Sequence, residues 1–262
     1  MDARQELRGI PTKGAGHPTT NIAPRRDPAR SKVGPPLLAD PEDPMRVNRS
    51  HLEKMEIGKS SSSCKVSLVT RLHRTAVLQE FWCASFEEAQ VYENLAAHSN
   101  VLNFKEQLTR VDFVTRDGSE SHTKVDAHVL LRNGDELLVS VKYDEKARRP
   151  SYLAEVADIA AQCSPEIADS FAVMSRYHFH PAWRACARTI HLVRRGWDPE
   201  ADITVLNVAL GLPESFTLGE LVEAAGLENR GWRAAIRLIG DGDIHKHPLD
   251  LFEDDLICRR AA

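Results

Sequence analysis

Polar and hydrophobic positions alternate most regularly along Lys124–Tyr143. Val125–Leu131 and Glu136–Tyr143 are rich in aliphatic and β-branched residues, and Asn133-Gly134 between them predicts a hairpin. Residues two apart share a face, so Leu138, Ser140 and Lys142 line one side of the second strand, and Asp126 starts the first strand opposite the end of the second. Upstream, Val66–Leu72 and Thr75–Trp82 read as strands, although their spacing also permits helices. Ser85 stands at a helix N-cap position with Glu87 and Glu88 in the first turn, predicting a helix over Phe86–Ala97 that puts Glu88 and Tyr92 on one side. Gln107–Thr115 then reads as a strand and Arg116-Asp117-Gly118-Ser119 as its turn toward Asp126.

Beyond the hairpin, apolar spacing predicts a helix over Ser151–Cys163, a buried strand over Ile167–Ser175 and a proline-opened helix over Pro181–Arg195. The expected class is α/β. After Gly196 the pattern changes to helices near Ala201–Leu210, Thr217–Ala225 and Arg230–Ile239, with two extended pieces in Asp243–Arg260. Helices followed by a small hairpin suggest a winged helix-turn-helix. A chain of 262 residues with 42% hydrophobic content can bury a main core and a smaller second one. The expected division is therefore a leader (1–63), an α/β domain (64–198) and a helical domain (199–262).

The leader is punctuated by prolines from Pro11 to Pro44 and ends in the run Ser60–Ser63, which predicts disorder. Its cations (Arg25, Arg26, Arg30, Lys32, Arg46, Arg49) form either a solvated segment or a basic arm. A net charge of -4 leaves nucleic acid neither indicated nor excluded, because binding depends on a local stripe. Five scattered cysteines without Cys-x-x-Cys spacing indicate neither a disulfide framework nor a zinc ribbon, and no apolar run is long enough to span a bilayer. A cytoplasmic location is expected. His178 and His180 near Cys163, Cys186 and His191 match no standard zinc spacing, and Walker, dinucleotide and serine-hydrolase motifs are lacking.

Glu88 on its helix, Phe104-Lys-Glu-Gln107, Val125-Asp126 and Val141-Lys142, in that order, resemble the motifs of the TnsA endonuclease family, the restriction-like nuclease subunit of heteromeric transposases. The resemblance extends to Thr217-Leu-Gly-Glu-Leu221 and Ile239-Gly-Asp-Gly242 in the terminal domain. It implies a restriction-endonuclease-like PD-(D/E)XK core followed by a winged-helix-like domain. It further implies Glu88, Asp126 and Lys142 as catalytic residues, with Gln107 supporting them. By the same resemblance, the chain would nick the 5′ ends of a transposon on double-stranded DNA. A DDE/RNase H-like transposase subunit and an AAA+ ATPase regulator would be its partners.

Phosphodiester hydrolysis needs an activated water and neutralised phosphate oxygens, which Mg2+ (or Mn2+) supplies when carboxylates hold it. Glu88 and Asp126 would be those ligands, and Lys142 would stabilise the developing charge. Glu87 competes with Glu88 for the ligand role; the distance of Glu88 before Asn100-Val101 resembles the family pattern, and the resemblance therefore implies Glu88, with Glu87 left for the helix dipole. Ser140 takes the third metal-ligand position, where the family usually has a second acid or an amide and a neutral hydroxyl is a poorer ligand, while Val125 and Leu108 replace prolines. Two other readings follow: a non-catalytic DNA-binding or assembly subunit with a vestigial site, and a stand-alone restriction-type nuclease.

Overall fold

The computed structural model describes residues 27–54 and 64–261. The expected disorder of residues 1–26, and of the serine run, lies outside the described residues. For 27–54 it is corrected. After a turn of 3-10 helix at Pro28–Arg30, this segment runs as a strap along the folded body. Its backbone carbonyls are taken up by side chains of that body: Asn103 Nδ2 donates to Gly34 O at 2.8 Å, and Arg71 donates to Pro44 O. A proline-rich segment can therefore be ordered without a helix or long strand, because its partners come from elsewhere.

Strand β1 (Val47–Asn48) lies parallel to β3 (Leu78–Cys83), whose other edge pairs antiparallel with β2 (Val66–Thr70). Both strands expected here exist, the second shifted from Thr75–Trp82. Helix α1 (Phe86–Ala97) follows within the expected bounds, its N-cap Ser85 accepting from Glu88 N at 3.1 Å.

The next stretch departs from the sequence reading. No strand is expected between the Phe86–Ala97 helix and Gln107, but Val101–Glu106, which carries most of the Phe104–Gln107 motif, forms strand β4 within the sheet. Gln107 breaks the chain direction with φ +47°, and the expected strand over Gln107–Thr115 shortens to β5 (Arg110–Val114). The turn after β5 leads into β6 (Glu120–Lys124), and β5 and β6 form a separate two-stranded ribbon. Alternation alone cannot reveal such a corner, since each side of it still reads as strand.

The chain then re-enters the sheet as β7 (Ala127–Leu131) and β8 (Glu136–Val141), joined by the expected turn with Gly134 at φ +83°. A single turn of helix, α2 (Asp144–Ala147), precedes α3 (Pro150–Gln162) and the parallel strand β9 (Ser170–Met174). The sheet order is β4-β7-β8-β9, antiparallel except for its last pair. Helix α1 covers one face over Phe104, Ala127, Val129 and Val139, while α3 covers the other over Leu138, Phe171 and Val173. The architecture is mixed α/β.

Helix α4 (Pro181–Arg194) packs on α1, and the remaining chain builds α5 (Pro199–Gly211), β10 (Ser215–Thr217), α6 (Leu218–Ala225), α7 (Glu228–Asp241), β11 (Ile244–Lys246) and β12 (Ile257–Arg260). Its three short strands associate in the order β10-β12-β11 around their own apolar cluster. No helix among the described residues is long and apolar enough to cross a membrane.

Candidate active site

The ends of β4, β7 and β8 nearest the start of α1 bring most of the singled-out residues together. Asp126 immediately precedes β7, where its backbone N donates to Val139 O at 3.0 Å and its carbonyl accepts from Gln107 N at 2.9 Å and from the Tyr92 hydroxyl. These backbone bonds aim its carboxylate across the neighbouring strand. There Oδ2 accepts from Val141 N at 2.6 Å, from Ser140 Oγ at 3.3 Å and from Lys142 Nζ at 3.3 Å. The strand parity inferred for Ser140 and Lys142 thus corresponds to direct contact with Asp126. No hydrogen bond to Asp126 Oδ1 is found among the described residues, and the side chain is 18% exposed.

Lys142 donates a second bond to Val141 O at 2.8 Å. Burial acts to lower its pKa, but the charge and hydrogen bond of Asp126, helped by Glu88, outweigh burial and raise it, so the ammonium persists. Glu88 reaches back over its own helix start, accepting from Ala84 N at 2.9 Å and from Ser85 Oγ at 3.1 Å. Burial, then the charge of Asp126, pushes its carboxyl above the usual range, while those hydrogen bonds and Lys142 oppose the rise. Glu88 senses both other groups without bonding to either. Glu87 instead accepts from the backbone N of Arg176 at 2.7 Å, with the Arg176 guanidinium alongside. Glu87 thus has its partners in Arg176 rather than in the Asp126–Lys142 pair.

Gln107 takes part through its backbone, whose left-handed conformation points its N–H at the Asp126 carbonyl. Ser140 is buried, and its hydroxyl contacts Tyr152 OH at 3.0 Å as well as Asp126. The position that a second carboxylate would fill is thus closed over by an α3 side chain. Tyr152 was not singled out from sequence, whereas Tyr92 was placed beside Glu88 by helical spacing and Glu106 stood inside the Phe104–Gln107 motif without a role of its own. Glu106, only 1% exposed, accepts from Ser50 Oγ and from Trp82 N and lies 3.5 Å from His51 Nδ1.

The histidines set aside as zinc ligands are otherwise engaged. His178 Nδ1 accepts from Ser175 N at 2.9 Å, His180 caps α4, and buried His191 bridges Thr70 Oγ1 and Glu93 O, its pKa pushed down to about 4 by burial. A different cluster, His73, Asp241 and Asp243, brings its ligand atoms within 4.8 Å of one another. Its carboxylates are already neutralised by arginines: Arg74 bonds both, and Arg194 Nη2 lies 2.8 Å from Asp241 Oδ1. A cation there would have to displace them, which makes the cluster an ionic tie rather than a metal centre.

No protein-family model matches the chain, and no curated protein is significantly similar to it.

Proposed function

We propose that the chain is a metal-dependent DNA endonuclease with a restriction-endonuclease-like core, acting as the TnsA-type subunit of a heteromeric transposase. The observation that carries this reading is the meeting of Asp126 and Lys142 at 3.3 Å, at the sheet end that Glu88 also faces. The order α1, β4, β7, β8, α3, β9 supports the reading, since the acid enters the second sheet strand and the lysine leaves the third, side by side. The residues also fit a divalent cation. They offer hard carboxylate oxygens, and Glu88 is buried beside the charge of Asp126, both of which a bound cation would offset. Asp126 and Glu88 would hold Mg2+ or Mn2+, which would polarise the phosphate and acidify water when bound. Lys142 places a persistent positive charge beside Asp126, where charge develops on a phosphate, and Tyr92 and Gln107 fix the backbone that aims Asp126.

The β10-β12-β11 sheet with α5, α6 and α7 supports a winged-helix-like terminal unit. Its third helix, α7, is nevertheless buried from Ala234 to Asp241 and packs on α4 as well as on α5 and α6. The C-terminal half of that helix thus braces the α/β body, while Glu228–Arg230 and Arg233 near its start stay exposed. Double-stranded transposon ends, a DDE/RNase H-like transposase and an AAA+ ATPase are the partners the resemblance implies, in a cytoplasmic setting that accords with five free cysteines.

One observation favours a second reading, a non-catalytic assembly subunit: Ser140 leaves the site with two carboxylates, and Tyr152 occupies its hydroxyl. Strand-mapped nicking of duplex DNA bearing a transposon end, with Mg2+ or Mn2+ and the neighbouring transposase present, decides between them. Cleavage at the 5′ ends that disappears in Asp126→Asn supports the enzyme. Absence of nicking under every metal and partner condition leaves the assembly role.

A further inference from the structure

Beside the candidate active site, the chain concentrates positive charge in an arrangement that folding alone does not favour. In the β5–β6 ribbon, Arg110 is directly opposite Lys124, and like charges in that register repel. Both are exposed. Arg110 Nε has a local partner in Asp112 Oδ1 at 2.8 Å, on the next outward position of its own strand. Neither Lys124 nor Lys105 has a carboxylate within ion-pair distance among the described residues. Lys105 projects from β4, one residue before buried Glu106, and its Cα partner on β7 is His128.

A third nitrogen group joins them from the strap. Glu106 holds the His51 ring, with Nδ1 3.5 Å from its carboxylate, while Ser50 Oγ fixes the other oxygen of the same carboxylate. Burial is the main cause of the lowered His51 pKa and Glu106 opposes it, but the charges of Lys105 and Lys124 both add to the lowering. His51, against the carboxylate next in sequence to Lys105, shares a neighbourhood with Lys105 and Lys124, and Arg110 joins it as the cross-strand partner of Lys124. Its place relative to the site follows from the backbone: Lys124 is two residues before Asp126, and Gln107, two residues after Lys105, donates its N–H to the Asp126 carbonyl at 2.9 Å.

We propose that Lys105, Lys124 and Arg110, with His51 held by Glu106, form a phosphate-binding subsite that receives the backbone of duplex DNA beside the scissile phosphate. The proposal rests on the nuclease reading of Asp126 and Lys142 and names the surface that would present DNA to them. A nucleic-acid backbone offsets the ribbon's like-charge pairing, since each phosphate supplies an anion to the ammonium groups of Lys105 and Lys124. It also accounts for the course of the strap, whose residues 50 and 51 complete the subsite from outside the main sheet.

The test uses the full chain in calcium, measuring anisotropy of a labelled duplex across a salt series. Lys105→Gln, Lys124→Gln and Arg110→Gln are compared with Arg233→Gln, an exposed cation on α7. Each of the first three should weaken binding and reduce the salt dependence of log K by about 0.9 per lost phosphate contact, whereas Arg233→Gln should leave both unchanged. His51→Ala should weaken binding at every salt concentration. Thermal melting of each variant checks that the fold persists. Wild-type slopes in Lys105→Gln and Lys124→Gln, equal losses in Arg233→Gln, or preferential protection by inorganic phosphate over duplex would each overturn the subsite. The nuclease reading fails separately: DNA binding that depends on the subsite, with no nicking in magnesium by the wild-type complex, removes catalysis and leaves the subsite standing.

Discussion

Among single residues, the candidate site holds two groups whose protonation is displaced in the same direction by different means. Glu88 is raised by burial and by Asp126, so the folded protein holds its proton more tightly than the unfolded chain does. Stability from this group is full below about pH 4.3, the ordinary glutamate value, and is lost as pH rises through the raised folded value. Glu88→Gln removes that loss. It is expected to melt above the wild type at neutral pH, with the two converging in acid, while nicking falls to background. Magnesium should stabilise the wild type more than the variant, a difference that thermal shift measures directly. Lys142 is also raised, burial being outweighed by Asp126 with help from Glu88. Its contribution is full below about pH 10.4 and disappears only as pH climbs through the raised value. Lys142→Met should cut nicking by orders of magnitude with a folded protein, whereas unchanged turnover would assign the ammonium to the fold alone.

Among the strands and turns, Gln107 is the corner on which the site turns. A non-glycine residue in the left-handed region is strained, and here it ends β4, frees the chain to start the β5–β6 ribbon and points an N–H at Asp126. If its role is carried by the backbone, Gln107→Gly keeps stability within about 1 kcal/mol and retains nicking. Gln107→Val, whose branched side chain resists that conformation, should cost about 1–2 kcal/mol in urea unfolding and reduce activity. Loss of activity in the glycine variant would instead assign the side chain a direct part.

Across the molecule as a whole, the terminal unit is fastened to the α/β body by buried charge and close packing. Asp241, at the end of α7, meets Arg194 of α4 and Arg74 of the β2–β3 turn, and Arg132 of the β7–β8 hairpin bonds its carbonyl at 3.3 Å. Asp241→Ala would leave Arg194, only 1% exposed, without its partner, and should destabilise the protein by about 3–5 kcal/mol in denaturant unfolding. Gly240 makes the close approach of α7 to α4 possible, since a Cβ there would stand 2.8 Å from Ile190 Cγ2. Gly240→Ala should cost about 1–3 kcal/mol as the helices part. If α7 were instead free to read DNA, both substitutions would change binding and leave stability nearly intact.

Local patterning was enough to specify the elements whose signals lie close together in the chain. Ser85 with Glu88 marked the start of α1, Asn133-Gly134 marked the β7–β8 turn, and strand parity put Ser140 and Lys142 on the Asp126 side, because these depend on neighbours a few residues away. Other features depend on partners distant in the chain and exist only once it has folded. The proline-rich strap is ordered because Asn103, Arg71 and Gln79 satisfy its polar groups, and β4 is a sheet strand because β7 lies beside it. Glu88 is separated from Glu87 by Arg176, and Ser140 is closed over by Tyr152. A side chain's charge state and availability follow from what surrounds it in space, and the linear spacing of residues carries that information only where the chain folds back on itself at short range.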